Sequence, residues 1–171
     1  MIHQTMEPAF HLALPTLIMI ALGVPLGIAI ALSPLSLLFD LDTFLGPHRR
    51  LHSLLILIAT AGPIAIVVIR IFPQAMLAYL TGLFYMSIHL LLDIFEGEEA
   101  LFYPLSPKGY GLRLKMRIEN TPIKMKSIQL GVTVVPEIKS NKGVYTFLSG
   151  QGAIAILLLI TTALARSRGL V

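Results

Sequence analysis

The chain has 171 residues, 56% of them hydrophobic and only 13% charged, and its mean hydropathy is +0.82. Soluble domains carry roughly 25% charged residues, so this composition excludes an ordinary soluble globule and points to an integral membrane protein. There is no cysteine, which excludes a disulfide framework and leaves only nitrogen and oxygen donors for any metal. The net charge is +4, and eight of the thirteen Lys and Arg fall between Lys108 and Lys142.

Met1 to Pro8 carries no Lys or Arg ahead of the first apolar run. It lacks the basic start of a secretory signal peptide, so that run is expected to be retained. The run extends from Phe10 to Phe39, with Pro15 and Pro34 inside it and Gly23-Val24-Pro25 as an interruption. These breakers predict two short helices in a hairpin, with one tilted helix as the alternative. His11 to Leu22 would measure only ~18 Å as a helix, too short to cross a bilayer alone. A hairpin would bring Phe39-Asp40 back to the level of His11, whereas a single helix would separate them by the bilayer thickness.

The second apolar block, His52 to Phe72, and the third, Gln74 to Phe95, are each long enough to span and are joined at Pro73-Gln74. They are expected to form an antiparallel helix pair with His52, His89 and Asp93 at one level. Residues 96–146 differ in character: they are polar and basic. Leu112-Arg113-Leu114-Lys115-Met116-Arg117-Ile118 alternates strictly, which predicts a strand with one apolar and one basic face. Asn120-Thr121-Pro122 reads as a turn, and Ile128 to Val134 reads as a second strand. A fourth apolar block, Phe147 to Ala165, is expected to span, with Gly150-Gln151-Gly152 allowing close packing near its start.

The expected fold is therefore an all-α multi-pass membrane helical bundle, a short helical hairpin plus about three transmembrane helices, with a small β-containing surface insertion. We take residues 1–171 as a single integral membrane domain and 96–146 as the polar, basic insertion within it. Residues 40–50 and 96–146 hold ten of the thirteen Lys and Arg. The positive-inside bias then places that side of the cell-membrane protein in the cytoplasm.

Between residues 9 and 95 the only charged side chains are Asp40, Asp42, Arg49, Arg50, Arg70 and Asp93, accompanied by His11, His48, His52 and His89. An ionisable group at membrane depth is costly and marks a functional site by default. Clustered His and Asp also form a ligand set for a borderline divalent cation. His48 and His52 are four residues apart, as are His89 and Asp93. On a helix that spacing puts both side chains on one face with Cβ atoms ~5–6 Å apart. Asp40, His52, His89 and Asp93 are the first candidate ligands. His11, Asp42 and His48 form a second tier, and seven ligands would suit two ions better than one. The bland readings are a hydrogen-bonded His89–Asp93 pair, an N-cap role for Asp40 or Asp42, and Arg49 and Arg50 as topology anchors.

The segments Leu38-Phe39-Asp40-Leu41-Asp42, His48-Arg49-Arg50-Leu51-His52-Ser53, His89-Leu90-Leu91-Leu92-Asp93 and Leu101-Phe102-Tyr103-Pro104-Leu105 together carry a resemblance. In order and spacing they resemble the membrane-bound metal-dependent hydrolase family of the LexA-regulated inner-membrane type. That family shows an early His, then LPDxD, HRGxTHS, HxxxD and an LLWP-like run, and His11 fits the early His. The resemblance covers about residues 10 to 107. Phe39 stands where the family has Pro, the His48 segment is one residue short, and the stretch after Asp93 is acidic rather than Thr-containing.

The resemblance implies a membrane-embedded metal-dependent hydrolase. Through a distant likeness to zinc phospholipase C and zinc-dependent single-strand nucleases, it also implies cleavage of a phosphoester, lipid-like or otherwise, by metal-activated water. Zinc is the expected metal, as one or two ions, with manganese or iron as alternatives. Arg49 is the candidate phosphate-holding residue, and Glu96 the candidate base or an extra ligand. The expected partners are the lipid bilayer and a phospholipid or other phosphoester; nothing points to nucleic acid. The contrasting reading is a metal-binding or ion-transport membrane protein without turnover.

Overall fold

The computed structural model describes residues 8–41, 51–96, 99–120, 123–136 and 150–169. The first apolar block is a hairpin. Helix α1, Pro8–Ala21, stops at Gly23, whose φ of +88° suits a residue without Cβ. Val24 N–H bonds the Met19 carbonyl at 3.1 Å and Gly23 N–H bonds that of Ile20 at 3.0 Å. This pair of bonds is a Schellman motif, and its usual apolar contact is present because Met19 and Val24 share a core cluster. Pro25 then blocks continuation and leads into α2, Leu26–Leu32.

Pro34 shapes the next turn. It has no N–H to give the Ile30 carbonyl, so the N–H and hydroxyl of Ser33 bond Ile30 instead. The chain tightens into 3-10 turns at Ser33–Leu37 and Phe39–Leu41. That shift withdraws the Ser33 N–H from the Ala29 carbonyl, and the buried Tyr85 hydroxyl donates to it at 2.7 Å. Tyr85 is thus the pivot of a cluster with Met19, Ile20, Val24 and Ala29, which seats the hairpin on the long helix that carries Tyr85.

Helix α3 is Leu54–Ile71 and helix α4 is Met76–Glu96, joined by a 3-10 turn at Pro73–Ala75. They pack on each other, and the Tyr79 hydroxyl donates to the Ala61 carbonyl at 3.0 Å. Leu54–Ile71 and Pro73–Phe95 are long and apolar enough to cross a membrane; the apolar stretch Gln151–Ser167 is shorter. Ile58, Ile64, Ile66, Ile69 and Ile71 of α3 are exposed. That pattern is foreign to the buried core helix of a soluble protein.

Strands β1, Gly109–Asn120, and β2, Ile123–Val135, form a two-stranded antiparallel sheet with an irregularity at Arg117/Ile118. The expected turn residues Thr121 and Pro122 lie outside the described residues. The last helix, α5, Gly150–Ser167, packs along α1. Near its end Arg166 donates to the Ile20 carbonyl, a cation against the negative end of the α1 dipole.

Candidate metal centre

Four separate segments bring donors together. His89 and Asp93 occupy successive turns of α4, on one face as their spacing predicted. Asp40 arrives at the end of the hairpin, in the second 3-10 turn. His11 comes from near the start of α1, as its fourth residue. The return of the hairpin is what makes Asp40 and His11 neighbours of the same residue, His89.

His52 is presented differently from the expected His48–His52 helical pair. Ser53 is extended, at φ −121° and ψ 128°, and caps α3, so His52 lies before the helix rather than on it. Ser53 N–H closes on the Leu51 carbonyl at 2.7 Å, a three-residue turn centred on His52. The Ser53 oxygen accepts the Leu55 N–H at 3.2 Å. Its single proton is best directed to the Tyr103 carbonyl at 2.7 Å, because the Leu101 carbonyl, 3.1 Å away, already receives the Leu54 N–H at 3.0 Å. The 101–103 segment therefore clamps the turn that aims His52.

Asp93 Oδ2 lies 3.0 Å from His89 Nε2 and 3.2 Å from His52 Nε2. Asp40 Oδ1 lies 3.7 Å from His89 Nε2 and 4.0 Å from His52 Nε2. Ligands 2.0–2.1 Å from a tetrahedral zinc stand about 3.3 Å apart, so these four His–Asp distances, 3.0 to 4.0 Å, are close to the edges of a coordination shell. His89 Nε2 and Asp93 Oδ2 are buried 3.0 Å apart, the spacing of a hydrogen-bonded pair and also of two ligands on one cation.

His11 stands behind this shell. Its Nδ1 is 3.0 Å from Nδ1 of His89, the ring nitrogen facing away from the other donors, and 3.5 Å from Asp93 Oδ1. Two overlapping groups thus have the spacing to hold an ion: Asp40, His52 and His89, and His11, His89 and Asp93. The buried His/Asp cluster could hold a metal ion.

His11, His52, His89 and Asp93 are all at most 4% exposed. Phe39 packs its ring against both His52 and His89 at centroid distances of 5.8 and 5.7 Å. The Asp40 side chain retains 18% exposure and forms the open edge. Burial pushes its carboxyl above the ordinary range, opposed first by His89.

Asp42, His48, Arg49 and Arg50 lie outside the described residues. Glu96 is the last residue of α4, and its side chain is likewise outside the described set. Sequence reasoning assigned no role to Glu99, which is wholly buried. Its backbone pairs with Tyr110 through bonds of 2.8 and 2.9 Å, and nothing in the run Glu96-Gly97-Glu98-Glu99 foretells that Glu99 turns inward.

No family model, no characterised protein and no solved structure matches the chain.

Proposed function

We propose that this protein is a membrane-embedded metal-dependent hydrolase that cleaves a phosphoester at headgroup level on the cytoplasmic face. The carrying observation is the convergence of Asp40 Oδ1, His52 Nε2, His89 Nε2 and Asp93 Oδ2, with His–Asp distances of 3.0 to 4.0 Å and two overlapping groups of three donors spaced to hold an ion. These four would hold a divalent cation, zinc by the donor set of two imidazoles and two carboxylates. When bound, the cation supplies Lewis-acid activation of water and of a phosphoester oxygen.

His11 would hold the far nitrogen of His89, and Phe39 would wall the histidines from lipid and water. Substrate would approach past Asp40, the exposed member. Arg49 is suited by its chemistry to a phosphate oxygen, and Glu96 to taking a proton. The resemblance to the membrane-bound metal-dependent hydrolases supports the same reading. A multi-pass arrangement follows from taking α3, α4 and the shorter α5 as spans. Arg70, Arg166 and Arg168 then lie on the far side, opposite the basic segment.

The near-complete burial of His11, His52, His89 and Asp93 favours a second reading, a closed metal site without turnover. A transport path is less supported. Along α4 away from the site, the buried Thr81 and Tyr85 hydroxyls are already bonded, to the Leu77 and Ala29 carbonyls.

The test is elemental analysis of purified protein in detergent, followed by assay on phospholipids and simple phosphodiesters. His89→Ala and Asp93→Ala should each abolish stoichiometric metal and turnover. Retention of metal in both refutes the site. Bound metal with no turnover on either substrate class selects the second reading.

A further inference from the structure

We propose that the β1–β2 hairpin is a docking surface for anionic lipid, lying on the bilayer with its apolar face at the acyl boundary. This rests on the membrane reading above and adds a partner for a part of the chain remote from the metal cluster.

The register supplies the two faces. Tyr110 pairs with Val134, Leu112 with Val132, Leu114 with Leu130 and Met116 with Ile128. Directly paired residues of an antiparallel sheet share a face, so these positions make one continuous apolar face. The alternate pairs are Gly111 with Thr133, Arg113 with Gly131, Lys115 with Gln129 and Arg117 with Ser127. The opposite face is therefore polar and cationic.

Nothing among the described residues covers the apolar face over β2: Leu130, Val132 and Val134 are 67%, 69% and 54% exposed. A two-stranded hairpin without a covered apolar face is marginal in water, so an occupant is expected.

Two observations select lipid. First, the hairpin is rooted where the candidate span α4 ends. The Glu99–Tyr110 backbone bridge and the edge-on contact of the Phe102 and Tyr110 rings tie the start of β1 to the chain just beyond that helix. The bilayer surface is then within reach of the apolar face. Second, Gly109–Val135 carries Arg113, Lys115, Arg117, Lys124 and Lys126 against Glu119 alone. An amphipathic element with a basic polar face is the form that settles at an anionic interface. A second copy of the hairpin would instead bring two such cationic elements together.

The chain has no cysteine, so single-cysteine spin labelling needs no background removal. Ile66→Cys, Leu130→Cys, Val132→Cys and Gly131→Cys, each in the full chain, would be labelled in nanodiscs of phosphatidylcholine with phosphatidylglycerol. Collisions with oxygen, which concentrates in lipid, would be compared with collisions with a water-soluble nickel chelate. Oxygen should dominate at 66, 130 and 132, and nickel at 131. The labels at 130 and 132 should become shallower in phosphatidylcholine alone.

Nickel dominating at both 130 and 132 while oxygen dominates at 66 would overturn the docking surface and leave the membrane reading standing. Shielding of 130 and 132 from both reagents would also overturn it, by showing a protein cover. Unchanged depth without phosphatidylglycerol would refute the anionic preference. Nickel dominating at 66 would remove the membrane reading itself.

Discussion

Replacing His11 by leucine tests whether this residue is a ligand or holds one. If His89 donates Nε2 to a cation, its proton must sit on Nδ1, and that nitrogen faces Nδ1 of His11 at 3.0 Å. Leucine keeps the bulk and suits an apolar helix, but it leaves the His89 N–H buried without an acceptor. An unsatisfied buried donor costs about 1–3 kcal/mol, and 1.4 kcal/mol corresponds to a factor of about ten in an equilibrium constant. Loss of an outer partner of a metal-bound histidine typically weakens metal affinity by about 10–100-fold, in agreement. His11→Leu should therefore raise the metal Kd by about 10–100-fold with the metal-to-chain ratio unchanged at saturation. His11→Gln, whose amide oxygen can accept the proton, should stay within about threefold of the parent. Competition against a chromophoric chelator gives the affinity, and elemental analysis at saturating metal gives the ratio. A ratio that falls by one ion per chain in His11→Leu would refute the reasoning and make His11 a ligand of a second ion.

The other predictions concern the scaffold. Ser53→Ala removes the α3 cap and the donor to the Tyr103 carbonyl, two contributions of about 1 kcal/mol each. It should lower the thermal midpoint in detergent by several degrees and weaken metal binding through the released His52 turn, whereas a midpoint and an affinity equal to the parent's would show that the clamp does nothing. Tyr85→Phe leaves the Ala29 carbonyl buried without its donor and should cost about 1 kcal/mol, read as a drop of about 2–4 °C in the same melt. Its metal affinity should be unchanged, because the Tyr85 hydroxyl serves the hairpin seat through the Ala29 carbonyl.

Those features of the site whose signal is local could be read from the sequence. Gly23-Val24-Pro25 announces a helix stop, and the structure ends α1 there with a left-handed glycine. The spacing of His89 and Asp93 is a helical repeat inside an unbroken apolar run, so one face follows directly. The alternation from Leu112 to Ile118 likewise fixes a strand, with β1 extending it to Gly109–Asn120. The helical spacing of His48 and His52 does not put His52 on α3, because spacing alone does not say where a helix starts; Ser53 does, by capping α3 just after His52. The clamp from Ser53 to Leu101 and Tyr103 joins residues 48 and 50 positions apart, and no periodicity records such a contact. Phe39 gave no sign that its ring would lie on two imidazoles. Nor could the sequence divide seven candidate ligands among shells, since that depends on which ring nitrogen of His89 faces which neighbour.

Charge balance argues for which ions this pocket would accept. Around His52 Nε2 and His89 Nε2, the described donors are two imidazoles and two carboxylates, Asp40 and Asp93. Two ionised carboxylates in a buried, apolar setting are costly on their own, and the histidines reduce that cost only by becoming cations themselves. A single divalent cation would cancel both charges and let the imidazoles remain neutral ligands, so the filled pocket would be electrically neutral. A second divalent cation beside His11 would add two positive charges and, among the described residues, draw on His11, His89 and Asp93. The same balance would disfavour a monovalent ion, which leaves one carboxylate uncompensated. A divalent ion between these two carboxylates would have its open side at Asp40, whose side chain keeps 18% exposure. An anionic phosphoester entering there would have to be offset by positive charge from outside the described shell, and Arg49 is a nearby cation in sequence of the right chemistry.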